Sequence, residues 1–274
     1  MIVPLEDGSE DVIAKAIAGR GINAHQLARE ARLEPAQVHD ALQGAAEEEP
    51  LRAIASALEL DPEALVQLAR KAWRPEPRRI PGFRCFTSDY QGIMNVNAYL
   101  VWDAGTHEAV AFDSGADASS MIDFIRDKEL KLDLILLTHT HRDHVADLQR
   151  LRRETGEPEV FCPQQEHLEG STPFSQGKVF AAGQLSIRSA LTSGHSPGGT
   201  TYIVEGLDRP VAVVGDALFS CSIGGPKISL PEALQSNRKE IFSLPDDTVL
   251  GPGHGPLTTV GEEKTHNPFF PEFK

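Results

Sequence analysis

Leu134-Ile135-Leu136-Leu137-Thr138-His139-Thr140-His141-Arg142-Asp143-His144 carries most of what this sequence says about its fold. The four leading residues form an apolar run with the length and composition of a buried strand. Directly behind it, three histidines and an aspartate fall within six residues. Neutral imidazole nitrogens and a carboxylate oxygen are the donor set that zinc takes, and manganese or ferrous iron accepts the same set. A strand that ends by presenting four such side chains is read as a metal site. The alternative, a polar loop that is rich in histidine by chance, does not account for so many donors in one turn.

Three more donors follow three more strand-like runs. His195 stands in Ser-Gly-His-Ser-Pro-Gly-Gly after Leu185 to Leu191, Asp216 in Gly-Asp-Ala-Leu-Phe after Val211 to Gly215, and His254 in Gly-Pro-Gly-His-Gly-Pro after Thr248 to Leu250. Loops at strand ends carry chemistry on a rigid frame, and flanking glycines permit tight turns and close backbone approach. The set His139, His141, Asp143, His144, His195, Asp216 and His254 is too large for one tetrahedral ion and suits two ions that share a carboxylate. Two such cations lower the pKa of a bridging water, so hydroxide becomes available near neutral pH to attack a polarised carbonyl. Asp143 is the candidate catalytic residue, able to orient that nucleophile or move its proton. Asp113, in Phe-Asp-Ser-Gly, has two readings: a carboxylate that orients a ligand histidine, or a turn cap. Asn97, Lys178, Tyr202 and Lys227 are given no role.

Around these loops the pattern predicts an α/β domain. Strands are expected at Phe83 to Phe86, Asn97 to Trp102, Ala109 to Asp113, Leu134 to Thr138, Glu159 to Cys162 and Thr200 to Val204, besides those named above. Helices are expected at Ser119 to Asp127 and at Val145 to Glu154.

Residues 1–74 read differently, as five short helices. Ser9 is the expected cap of the first, through Ala18; Asn23 caps Ala24 to Ala31; Pro35 opens a third that Gly44 closes; Leu51 to Leu58 and Pro62 to Lys71 complete the set, with Asp61 as the last cap. The Pro-rich residues 75–82 are expected to be a stiff linker, and residues 83–274 the catalytic domain.

GINAHQLAREARLEPAQVHDALQG followed by LRAIASALELDPEALVQLA resembles the helix-turn-helix domain of phage repressors. That resemblance implies DNA as a partner, with Pro35 to Gln43 lying in the major groove. The charge argues against it: residues 1–74 carry eight Lys or Arg against thirteen Asp or Glu, and the would-be recognition helix has no Lys or Arg of its own. The alternative is a helical packing module or the seat of a homodimer.

A formal net charge of −14 disfavours indiscriminate attraction to nucleic acid or anionic lipid. No apolar run is long enough to span a membrane, and the acidic opening MIVPLEDGSEDV lacks a signal peptide's basic and apolar regions, so the cytoplasm is the expected compartment. Cys85, Cys162 and Cys221 are widely spaced and are expected to be small apolar residues.

Thr-His-Thr-His-Arg-Asp-His, then Ser-Gly-His, then Gly-Asp, then Pro-Gly-His-Gly-Pro, in this order over about residues 80–270, resemble the metallo-β-lactamase superfamily. The resemblance implies an αββα sandwich. It also implies that His139, His141 and His195 bind one metal, that Asp143, His144 and His254 bind a second, and that Asp216 bridges them. Zinc is the expected metal, with iron or manganese as alternatives. Asp216, GHSPGGTTY and GDALFS are similar to the glyoxalase II-like hydrolases, which implies a small-molecule thioester or related acyl substrate. The segment after Asp216 lacks the Gly-Arg-x-Asp stretch of that group, and the short tail after His254 is not expected to supply its glutathione-binding helical domain. The same resemblance permits a mononuclear iron persulfide dioxygenase, with the metal on His139, His195 and Asp216. A DNA-binding regulator with a metal sensor domain is the third possibility.

Overall fold

A computed structural model describes residues 3–274. Five helices come first: α1 (Ser9–Arg20), α2 (Ala24–Ala31), α3 (Pro35–Leu42), α4 (Glu48–Ala57) and α5 (Pro62–Ala69). Asn23 caps α2 in a reciprocal box, its Oδ1 accepting from Gln26 N and Gln26 Oε1 accepting from Asn23 N, both at 2.9 Å. Asp61 caps α5 as expected. Helix α1 runs on to Arg20 and α5 stops at Ala69, and two starts differ. Gly8, not Ser9, caps α1, while Asp11 accepts from the Gly8 amide. Helix α4 starts at Glu48 because the acidic run supplies its first turn, where carboxylates oppose the helix dipole favourably.

The rest is a sandwich of two six-stranded mixed sheets. The first is β1 (Phe83–Tyr90), β2 (Met94–Trp102), β3 (Glu108–Phe112), β4 (Lys131–Leu136), β5 (Glu159–Pro163) and β6 (Thr172–Phe174), in that order. The second runs β12 (Thr258–Thr259), β11 (Val249–Pro252), β10 (Val211–Gly215), β9 (Thr200–Glu205), β8 (Leu185–Leu191) and β7 (Val179–Ala182). Strands β3 to β6 pair in parallel, as do β10 and β11, and the other pairings are antiparallel.

The central strands are buried on both faces, and alternate side chains join different core clusters. Tyr99, Val101, Leu134 and Leu136 of the first sheet meet Tyr202, Val204, Val211 and Val213 of the second in the central core. The alternate residues Ala98, Leu100 and Ile135 face outward to α6 (Ser119–Asp127) and α8 (Leu148–Glu154). Ala212, Val214 and Leu250, on the outer face of the second sheet, join one continuous core with Val12, Ile13, Leu27, Leu51 and Leu65 of the N-terminal helices. Helix α9 (Leu230–Glu240) lies between, and Gly19 of α1 approaches it so closely that a Cβ there would stand 2.5 Å from Leu230. The linker is a boundary in sequence but not in packing, since the helices cover the sheet as its outer layer. Helix α3 leaves Pro35, Ala36, His39 and Asp40 exposed.

The expected helix Val145 to Glu154 is two pieces, α7 (Arg142–Val145) and α8, because the histidine-rich turn is itself helical and Asp147 breaks the run. Strands β6, β7 and β12 and helices α9 and α10 (Val260–His266) escaped the sequence pattern. Both missed helices carried a signal, since the Ser229 and Thr259 side chains cap them by accepting from Glu232 N and Glu262 N. Cys162 and Cys221 are buried, and burial pushes the Cys85 thiol up to about 11. Among the described residues no helix is long and apolar enough to cross a membrane.

Candidate metal centre

The two sheets deliver their donors to one edge. After β4, Thr138 anchors the turn: its amide and hydroxyl donate to Asp113 Oδ1 at 2.8 Å and Oδ2 at 2.7 Å. Asp113 sits at φ 60°, a region that non-glycine residues seldom occupy, and these bonds hold it there. His141 is the N-cap of the one-turn helix α7, which carries Asp143 and His144. His195 comes from the β8–β9 loop, Asp216 from the end of β10 and His254 from the end of β11. Gly253 makes the last approach possible, because a Cβ there would stand 2.0 Å from Asp216 Oδ1 and 2.8 Å from His144 Cε1.

All seven predicted donors come together, in two groups. One is His139, His141, His195 and Asp216; the other is Asp143, His144 and His254; within each group the donor atoms lie within 4.8 Å of one another. Asp216 lies between the groups. Its Oδ2 is 3.3 Å from His195 Nε2, 3.9 Å from His139 Nε2 and 3.5 Å from His254 Nε2, while its Oδ1 is 3.3 Å from His144 Nε2. Asp143 Oδ2 lies 3.5 Å from His144 Nε2 and 3.4 Å from His254 Nε2.

Four imidazoles are fixed from behind through Nδ1, leaving Nε2 toward the centre. His144 Nδ1 donates to Asp113 Oδ2 at 2.8 Å, His195 Nδ1 to the Gly225 carbonyl at 2.8 Å and His254 Nδ1 to the Asn95 carbonyl at 2.6 Å. His139 Nδ1 lies 3.0 Å from Thr138 Oγ1. Bracing of this kind sets the tautomer and aim of a metal-binding histidine. Asp113 is thus both the turn anchor and the carboxylate behind a donor histidine. His139 Nε2, His144 Nε2 and Asp216 Oδ1 are buried and have no hydrogen-bond partner. Orphaned buried polar atoms cost about 1–3 kcal/mol each, and divalent cations would satisfy all three.

Burial lowers the His139 pKa well below the ordinary value and brings His195 to about 4, which keeps both neutral. For His144 and His254 burial acts in the same direction but is outweighed by Asp216 with Asp113 and by Asp143 with Asp216, which raise them to about 10 and about 11. Burial opposes ionisation of Asp216, yet the surrounding imidazoles hold it well below the usual carboxylate range. The centre combines anionic carboxylates with convergent imidazoles, a donor set that fits hard or borderline divalent cations.

Sequence reasoning missed several supports. Glu166 ties two donor loops together: Oε2 accepts from Thr140 N at 3.2 Å and Thr140 Oγ1 at 2.8 Å, and Oε1 from Gly198 N at 2.9 Å. No motif marks it. Asn97, buried on β2, donates through Nδ2 to the carbonyls of Pro252 at 3.0 Å and Gly255 at 2.8 Å, clamping the His254 turn. Tyr202 donates to the Leu137 carbonyl at 2.7 Å, beneath the histidine-rich turn. A cavity of about 410 Å³ opens over the donors, and Lys227 and Tyr90 line it.

The sequence model of the metallo-beta-lactamase superfamily matches residues 92–183, which include His139 to His144 and none of α1–α5. The chain is 30% identical over 197 residues to the hydroxyacylglutathione hydrolase GloC of Haemophilus influenzae, a match that covers 63% of this chain and 92% of that protein. Among solved structures it is similar to ETHE1 from Myxococcus xanthus, with TM-score 0.61 and 25% identity over 69% of this chain and 84% of that one. It is also similar to TTHA1623 in a di-iron-bound form, with TM-score 0.56 and 26% identity over 68% of this chain and 99% of that one. On its donors, its sandwich and these similarities, the chain belongs to the metallo-beta-lactamase superfamily, as one of its hydrolases.

Proposed function

We propose that the protein is a dinuclear metal-dependent hydrolase of thioesters or related acyl compounds. The observation that carries this reading is the pair of donor groups placed on either side of Asp216. His139, His141, His195 and Asp216 would hold one ion, and Asp143, His144 and His254 the other, with Asp216 shared. Zinc, iron and manganese all suit this set. Such ions supply an activated water and polarise a carbonyl. Asp143 is half-buried at the cavity floor, and its carboxylate accepts and moves the proton of the attacking water. Asp113, Gly225 and Asn95 keep the imidazoles aimed.

The acyl reading draws on the similarity to GloC, named as a hydroxyacylglutathione hydrolase. A single iron on His139, His195 and Asp216 would leave Asp143, His144 and His254 gathered without a task. The test loads the full chain with zinc, iron or manganese and assays a panel of acyl thioesters alongside metal content. Turnover with two ions per chain supports the proposal. Two ions retained with no thioester cleaved ends the thioester claim, and one iron with oxygen uptake ends the dinuclear one.

A further inference from the structure

The cavity over the donors has a wall that the superfamily match does not reach. Glu6 and Asp7, ahead of α1, and Lys15 of α1 line it together with His141, Asp143, His195, Asp216 and His254. The segment is pinned. Lys15 ion-pairs with Asp7, donates to the Ile223 carbonyl at 2.8 Å and places Nζ 5.0 Å from the centre of the Phe219 ring. Glu6 packs on the His254 turn, where a Cβ on Gly255 would lie 3.2 Å from Glu6 N and 3.4 Å from Glu6 Cβ.

Asp7 and Lys15 neutralise each other. Glu6 is half-buried, has no side-chain hydrogen bond or ion pair among the described residues, and lines the cavity close enough to His254 for the two to interact electrostatically. The cavity's basic residues Arg142 and Lys227 are exposed, and Lys227 acts on His141 and His195, on the other side of the centre. A ligand bound across the donors therefore has the Glu6 carboxylate beside it on the His254 side.

We propose that Glu6 is a specificity-determining residue contributed by the N-terminal segment, selecting substrates whose group on the His254 side is cationic and rejecting those that are anionic there. Packing the helices on the second sheet thereby has a consequence at the active site: it holds α1, and with it Glu6, in register over the cavity. The inference rests on the acyl-hydrolase reading for its substrate but not for its binding preference. A carboxylate and a cation about 4 Å apart in a partly solvated cavity give about a tenfold preference.

The test uses the metal-loaded full chain and two sets of probes. Acetylthiocholine, its neutral isostere 3,3-dimethylbutyl thioacetate and anionic 3-(acetylthio)propionate report turnover. The S-ethyl thioethers of the same three carriers, which cannot be hydrolysed, report binding by calorimetry. The native protein should bind the cationic thioether about tenfold more tightly than the neutral one and the anionic one more weakly still. Glu6→Gln, which keeps the side-chain shape, should abolish the cationic preference while leaving metal content and affinity for the neutral probe unchanged, and Glu6→Asp should restore part of it. Cationic selectivity that survives Glu6→Gln, or a native preference for the anionic probe, overturns the proposal. If no thioester is cleaved but the binding preference is present and lost in Glu6→Gln, the acyl-hydrolase reading fails and the role of Glu6 stands.

Discussion

The two donor groups are built from the same residue types but supported differently. In the first group, His139 rests on a hydroxyl and His195 on a backbone carbonyl, and Asp216 is the only carboxylate. In the second, His144 rests on the Asp113 carboxylate, and Asp143 and Asp216 both face His144 and His254. The first group is a cluster of imidazoles gathered from both sheets around one carboxylate, and the second is anion-rich; both reach the cavity, the first through His141 and His195 and the second through Asp143 and His254. On the proposed reading the contrast is a division of labour, in which one half would hold an ion and the substrate carbonyl and the other would hold an ion and move a proton.

The largest expected effect comes from a change that removes the contrast altogether. Gly253→Ala would drive a methyl group into Asp216 Oδ1 and His144, so both groups should lose their ions and turnover should fall by a hundredfold or more, on the order expected for ångström-scale misplacement. Metal content per chain and steady-state kinetics check this. Next, Asp143→Asn should separate the halves. It should keep the first ion while reducing kcat by about 10²–10⁴-fold, the usual worth of a positioned proton acceptor. A smaller loss should follow Asp113→Ala, which leaves His144 unbraced and should weaken metal retention by about 10–100-fold in competition with a chelator, chiefly at the second group. Loss confined to the first group would reverse the assignment of support.

The smallest expected effect lies outside both donor groups. Glu263 of α10 is fully buried, where Oε2 accepts from Cys221 N and Asn267 Nδ2 and Oε1 from Thr258 Oγ1. Burial raises its pKa from 4.5 to about 7. The folded protein therefore holds a proton there that the unfolded chain has already released, so this group's contribution to stability falls as pH rises from about 4.5 to about 7 and is level above that. Glu263→Gln can keep the same bonds, since the Thr258 hydroxyl can accept as well as donate. It should stabilise the protein at pH 8 by about 1–3 kcal/mol and change little at pH 4.5. Denaturant unfolding at the two pH values reads the difference, and an equal shift at both would remove the buried carboxylate as its cause.

That these seven candidate donors converge was legible in the sequence because each combines a chemically distinctive side chain with a place in a loop or turn that follows a strand, and both properties are local. The two-layer sandwich was legible only through the family resemblance, since Tyr99-Leu100-Val101 and Val211-Ala212-Val213 are apolar and buried at every position and carry no alternation that would mark their two faces. What supports the donors was not. Asn97 clamps a turn more than 150 residues away, Glu166 joins two loops without any motif, and Gly253 matters only because Asp216 and His144 arrive beside it. The N-terminal helices could be recognised as helices from their caps. That they cover the second sheet and lay Glu6 over the donors depends on tertiary approaches, such as Gly19 against Leu230, that no local pattern encodes.

The most direct test of the two-group centre is the metal content per chain of the native protein beside His139→Ala and His144→Ala, all loaded and washed in the same way. Two ions in the native protein, with His144→Ala keeping about one and His139→Ala losing its ion from the first group, is the predicted result. A single ion in the native protein, or the same loss of both ions in the two variants, would contradict it.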